Sequence, residues 1–353
     1  MAEFQRHNAF EYSHSHWKLI KPKLAEMLRA KPANSAPKTV SAPEGWSAPT
    51  PPKPANSSPE TVSAPAALSA PTPPKPANSS PKTVSAPVVL SAPTPPKPAD
   101  SKLALDWCDV VAADPDPAVV TDAAARARMT ATKFPWKVRD RKTGIVMLLC
   151  PPGEFMMGSP ASEAGRSDDE AQHRVTITKP FYLSETEVTQ EVWQKVMGAN
   201  PSMFNGASNP VEHVSWNDCQ KFCQSSGLRL ATESEWEYAC RAGTTTAHSF
   251  GASITQRQAN FGSGGTVACG SLPANQWGFR EMHGNVWEWC EDVYQATASS
   301  AQDAVNGNSS SNRVLRGGAW INDSSSVRSS YRSSNSPVNT PYLIGFRVAR
   351  APL

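Results

Sequence analysis

The clearest periodic pattern lies between Ser215 and Gly227, where Trp216, Cys219, Phe222 and Cys223 share one face of a helical period. Ser215 with Asp218 three residues later has capping-box form, and Gly227 supplies the stop. Thr232 with Glu235 repeats the device before Gly243. Thr189 precedes a third helix, Gln190–Met197, with Glu191 in its first turn, where the helix dipole favours an acid. Ile145–Leu149 and Arg174–Thr178 read as short strands, and 103–123 as a helical or irregular lead-in. After Gly243 the helical signals stop. Glycine, serine and asparagine punctuate short apolar runs carrying Trp277, Trp287, Trp289 and Trp320. This pattern predicts an α+β, loop-rich domain over 124–353.

Toward the N-terminus the pattern changes twice. Trp17, Ile20, Leu24, Met27 and Leu28 keep helical spacing, with Pro22 starting or kinking the regular part. So 1–30 predicts a short helical segment that docks on a partner or on its own copy, because one such helix builds no core. Residues 31–96 are three copies of a 22-residue unit, Lys31–Pro52, Lys53–Pro74 and Lys75–Pro96, and a fourth decays by Lys102. Residues 31–100 hold 19 of the chain's 33 prolines, and each unit has too few large apolar residues to offset its ordering entropy. The expectation for 31–102 is a disordered, extended spacer with a reach of about 200 Å.

Charge adds little. Lys and Arg number 34 against 31 Asp and Glu, a formal +3, too balanced to point to nucleic acid. No apolar run is long enough for a membrane span, and the first 30 residues lack the apolar core of a signal peptide. A cytoplasmic or phage-particle setting follows as an expectation. Seven cysteines at irregular spacing suggest reduced, buried thiols. Cys219 and Cys223 would need two more soft ligands to hold a metal.

Seven phrases carry a resemblance: PPGEFMMGS from Pro151, EVTQEVWQKVMGANPS from Glu187, PVEHVSWNDCQKFC from Pro210, RLATESEWEYACRAG from Arg229, GFREMHGNVWEWCED from Gly278, RVLRGGAW from Arg313 and GFRVAR from Gly345. Together, in this order, they resemble the formylglycine-generating enzyme (sulfatase-modifying factor) family. The resemblance implies a C-type-lectin-like fold with small sheets and about two main helices. The family's oxidases hold Cu(I) with two cysteines placed five apart just after the RGG-aromatic phrase. Those positions align with Asn322 and Val327, and no cysteine occurs beyond Cys290. Soft thiolate ligation of copper is not available from these side chains, so the resemblance points to a non-catalytic member with no catalytic cofactor. Iron held by three histidines, as in sulfoxide synthases of this fold, finds no match among His173, His213, His248 and His283. The family also implies a candidate structural Ca²⁺ site at Glu281, Gly284, Val286 and Glu288, and a weaker one beginning at Asn260 and Phe261, since hard oxygen ligands suit that ion.

Residues 313–350 mix two populations. Arg316, Gly317, Gly318, Trp320, Arg328, Arg332, Gly345, Phe346 and Arg347 read as framework. Ile321, Asp323, Ser326, Val327, Tyr331, Ser333, Ser334, Ser336, Val338, Tyr342 and Leu343 lie between them without helix or strand period. This mixture resembles the variable region of proteins diversified by retroelements, in which adenine-specific mutagenesis rewrites asparagine codons. The implied function is a rigid scaffold displaying a diversified surface for a protein or glycan ligand. A fixed binding or scaffold member of the same family is the alternative, and a formylglycine-generating oxidase is the least expected reading.

Overall fold

The computed structural model describes residues 105–296 and 311–353. The expected N-terminal helical segment, 1–30, and the repeat spacer, 31–102, lie outside the described residues. Twelve strands and four α-helices are found among the described residues. The strands are β1 (Cys108–Ala112), β2 (Lys137–Asp140), β3 (Val146–Cys150), β4 (Gly153–Met157), β5 (His173–Ile177), β6 (Phe181–Ser184), β7 (Arg229–Leu230), β8 (Trp287–Val293), β9 (Arg313–Arg316), β10 (Arg332–Asn335), β11 (Ile344–Gly345) and β12 (Val348–Arg350). The helices are α1 (Ala123–Ala131), α2 (Gln190–Met197), α3 (Trp216–Ser226) and α4 (Glu233–Arg241).

The three helices read from caps form where the caps require. Thr189, Ser215 and Thr232 each accept a hydrogen bond from the backbone N–H three residues on. Asp218 and Glu235 reach back to close capping boxes at Ser215 and Thr232. A fourth helix, α1, joins the three that the caps announced. Asp122 caps it, and the small side chain of Ala125 lets it sit close against the core.

The strands form three small sheets: β1-β2-β3-β6-β12-β7, β10-β9-β8-β11, and the pair β4-β5. In the largest, β12 pairs antiparallel with both β6 and β7, so the C-terminal strand locks into the middle of the domain. Of the lead-in, residues 105–123 pack onto the domain. They supply β1, antiparallel to β2, and put Leu105, Cys108 and Val120 into the core. The folded domain therefore begins before residue 124. Only one position in β1 is buried, which is why period-2 alternation did not mark it as a strand.

One core joins the sheets to the helices. Trp236, Trp277 and Trp289 are fully buried, and Trp193, Phe222 and Phe346 form an aromatic triad with ring centres 5.3–5.8 Å apart. Burying a side chain of this size contributes more than the roughly 1.5–3 kcal/mol of a smaller apolar residue. All seven cysteines are free and six are buried. Burial pushes the thiols of Cys223 and Cys240 up to about 12, so they behave as small apolar groups.

Candidate functional site

The C-terminal region is built on a frame of buried ion pairs. Arg316, on β9, is fully buried. It donates to the Glu237 carboxylate and to the carbonyls of Ser329, Ser330 and Tyr331. Glu237 also takes Arg241, at 2.8 Å, and Arg316 stands 3.7 Å from Glu233. Glu233 in turn accepts from Arg332 Nε and Nη2, at 2.6 and 2.9 Å. Burial disfavours the Glu233 anion, yet Arg332 and Arg316 outweigh it and hold the carboxyl below its usual range. Arg328 closes on Glu170 and reaches Glu163 at 2.6 Å. Arg347 is locked to Glu288 at 2.6 and 2.8 Å. Each framework arginine points inward, to a carboxylate supplied by a different part of the chain.

The loop 319–331 is fastened to this frame from below. Asp323 caps the 3₁₀ turn Ser324–Val327, its Oδ1 accepting from the N–H groups of Ser325 and Ser326. His283 Nδ1 bonds the Val327 carbonyl at 2.8 Å, while its Nε2 accepts from the Ser249 N–H at 3.1 Å. A carbonyl can only accept, so the ring is neutral with its proton on Nδ1. Burial first, and His248 second, push His283 down to about 3. His248, 5.5 Å away ring to ring, donates to the Ser324 carbonyl at 3.1 Å. Sequence reasoning missed both histidines as loop anchors. They precede the carbonyls they hold by 44 and 76 residues, and no local pattern links them to the loop.

The candidate surface residues divide. Ile321, Asp323, Ser326, Tyr331, Ser333, Ser334, Ser336, Val338, Tyr342 and Leu343 are all partly or fully exposed, and Val338 keeps 65% of its area in water. Ser333 and Ser334 lie on β10, an edge strand. Tyr331 lies over Trp287, ring centres 5.9 Å apart, and Arg328 stacks on its other side. The Trp287 N–H donates to the Leu343 carbonyl, which brings the Leu343 segment beside that ring. Val327 is a correction. Its side chain is fully buried in a satellite cluster with Ile254 and Ala259, so it packs the loop rather than facing a ligand. Asn322 is half-buried, and its Oδ1 accepts from the Ala319 N–H, bracing the turn after Gly318.

The expected cation sites look different from the expectation. Both oxygens of Glu288 are taken by Arg347, and Oε2 accepts from Trp236 Nε1 as well. A guanidinium already supplies the positive charge there. The two oxygens of Glu281 accept main-chain N–H groups of Gly270 and Leu272. Gly284 pairs with Asn260 through the backbone, Asn260 Nδ2 donates to Asn285 and Gly265, and the Phe261 carbonyl accepts from Gln256. Val286 is buried in the core. Three buried carboxylates, Glu187, Glu281 and Glu288, act on one another here, Glu187 Oε2 has no hydrogen-bond partner, and burial with the two neighbouring acids pushes the Glu187 carboxyl up; among the described residues no three His, Cys, Asp or Glu side chains are grouped to hold a metal. Also among the described residues, no helix is long and apolar enough to cross a membrane.

A family model described as the sulfatase-modifying factor enzyme 1-like domain matches residues 131–352. The chain is 38% identical over 238 residues to the serine/threonine-protein kinase pkn1 of Chlamydia caviae, a match covering 58% of this chain and 38% of that one. The chain thus spans well under half of that relative. Among solved structures, PvdO from Pseudomonas aeruginosa superimposes with a TM-score of 0.56 at 30% identity, over 61% of this chain and 97% of that one. Treponema denticola variable protein 1 superimposes with a TM-score of 0.52 at 26% identity, over 59% and 95%.

Proposed function

The chain belongs to the sulfatase-modifying factor family, and within it we propose a non-catalytic ligand-binding member whose surface, drawn from residues 321–343, is diversified and recognises a protein or glycan. One observation carries the reading: framework and candidate surface residues alternate in sequence but separate in space. The arginines turn inward onto carboxylates, while Ser333, Ser334, Ser336, Val338, Tyr331, Tyr342 and Leu343 stay accessible. A scaffold held by buried pairs tolerates change at its accessible serines and at Val338 at little cost, while Tyr331, Tyr342 and Leu343 are half-buried and also pack against the core. Hydroxyls with tyrosine anchors suit an adaptable combining surface.

Two further facts support it. On the sequence reading Asn322 and Val327 take the places of the family's copper-binding cysteines; in the fold one braces a turn and the other is buried. The likeness to a variable protein adds to this. The test has two arms. Purified chain with Cu(I) and a CxPxR peptide should form no aldehyde above a no-enzyme control. DNA beside the gene should carry a reverse transcriptase and a near-repeat of the codons for 313–350, differing at adenines. Aldehyde formation restores the oxidase reading, and absence of the repeat favours a fixed scaffold.

A further inference from the structure

A crevice of about 970 Å³ opens beside β5 and contains none of the candidate surface residues, with only the framework Arg332 at its rim. One wall is a strand edge. β5 pairs with β4 on one side, no strand pairs with its other edge among the described residues, and His173–Ile177 line the opening. In an antiparallel pair every second residue turns its N–H and C=O away from its partner. An edge of this kind is a template for a further strand.

The facing wall is acidic. It consists of the first turn of α4 and the end of β8, with Glu233, Glu235, Glu291 and Asp292. Glu233 and Glu235 are neutralised by Arg332 and Arg229. Glu291 instead accepts from the Gln220 amide, and Asp292 from the Glu233 main-chain N–H, both at 2.6 Å. Those donors are neutral; Arg313 and Arg229 offset part of the charge on Glu291, and Asp292 is charged only in part at neutral pH. Both carboxyls are raised, by burial first, and Asp292 reaches about 7 with Glu233 as its second cause. A cation brought to this wall would relieve that cost. On the strand side Arg174 is paired with Glu154, and Lys179 stands beyond the end of β5.

We propose that this crevice docks an extended, lysine- or arginine-bearing peptide segment of a partner protein, which adds to β5 as a third strand and sets a cation against Glu291 and Asp292. Main-chain hydrogen bonds along the edge supply affinity, and the acidic wall selects the side chain. The five residues of β5 set the length of the segment at about five to seven residues.

The experiment titrates the full chain by calorimetry with a synthetic heptapeptide of alternating valine and lysine. It is compared with its glutamate counterpart and with two versions N-methylated at odd or at even amides. The lysine peptide should bind saturably at one per chain. The glutamate peptide and at least one N-methylated version should bind ten-fold or more weakly. The Glu291→Gln/Asp292→Asn double variant should weaken the lysine peptide at least five-fold. No saturable binding overturns the proposal. So does equal binding of the glutamate peptide or of both N-methylated peptides, or an unchanged affinity in the double variant.

Discussion

Arg328 and Glu170, separated by 158 residues in the chain, meet as a two-pronged ion pair, Nη1 to Oε2 and Nη2 to Oε1, both at 2.7 Å. Ser159 and Ser330 hydroxyls satisfy the same carboxylate. Burial alone would raise the Glu170 carboxyl, but Arg328 holds it below its usual range. The pair ties the surface loop to the 3₁₀ turn Asp168–Glu170.

That pair should be expensive to break. Arg328→Ala leaves Glu170 and Glu163 facing an emptied, water-poor site, and an orphaned buried charge of this kind typically costs about 3–5 kcal/mol. Urea unfolding of the variant should show a loss in that range. A loss below about 1 kcal/mol would mean that the loop is not held here.

Surface positions should behave differently. Ser334→Tyr and Val338→Ser should change stability by no more than about 0.5 kcal/mol. Tyr331→Ala should cost about 1 kcal/mol, since its ring packs against Trp287 and Arg328 while remaining partly exposed. Thermal melts of the three variants against Arg328→Ala give the ranking directly.

Gly318 marks the turn where the loop passes closest to its own backbone. Its φ is +73°, and an added Cβ would lie 2.7 Å from both the Ser326 carbonyl oxygen and Val327 Cγ1. Gly318→Ala should destabilise by about 1–3 kcal/mol, from the backbone conformation and the clash together. Equilibrium unfolding should also show Gly144→Ala, equally left-handed but with open space around it, costing less.

The buried imidazoles predict a pH dependence. His283 sits at about 3 in the fold against 6.5 when unfolded, and burial lowers His248 too. The unfolded chain therefore binds more protons below pH 6.5. The stability associated with the neutral rings is present above 6.5 and is lost as pH falls toward 3, at up to about 1.4 kcal/mol per unit per group. Asp292, raised to about 7, acts in the opposite sense: its contribution is present below 3.8 and lost as pH rises through 7. Denaturation of wild type and His283→Asn between pH 7 and 5 separates the two, and the variant should lose less stability on acidification.

What the sequence made legible was local. Three helices announced themselves through Thr189, Ser215 and Thr232, because a cap and its partner lie three residues apart. The framework arginines were identified, but not their partners. Val327 looked like a surface residue amid serines, and only Ile254 and Ala259, some 70 residues earlier, make it core. The pairing of Glu288 with Arg347, 59 residues away, was not legible either. β1 was missed because its edge position leaves Val110 and Val111 exposed. Each miss is a long-range contact that no short window contains.

The central claim is that variation is confined to accessible positions on a fixed frame. Deep sequencing of the gene's 3′ end across a cell population tests it most directly. Substitutions should concentrate at codons for Ile321, Tyr331, Ser333, Ser334, Ser336, Val338, Tyr342 and Leu343, and should spare Arg316, Gly318, Val327, Arg328, Arg332 and Arg347. An invariant region, or substitutions spread evenly over buried and accessible codons alike, would contradict the account.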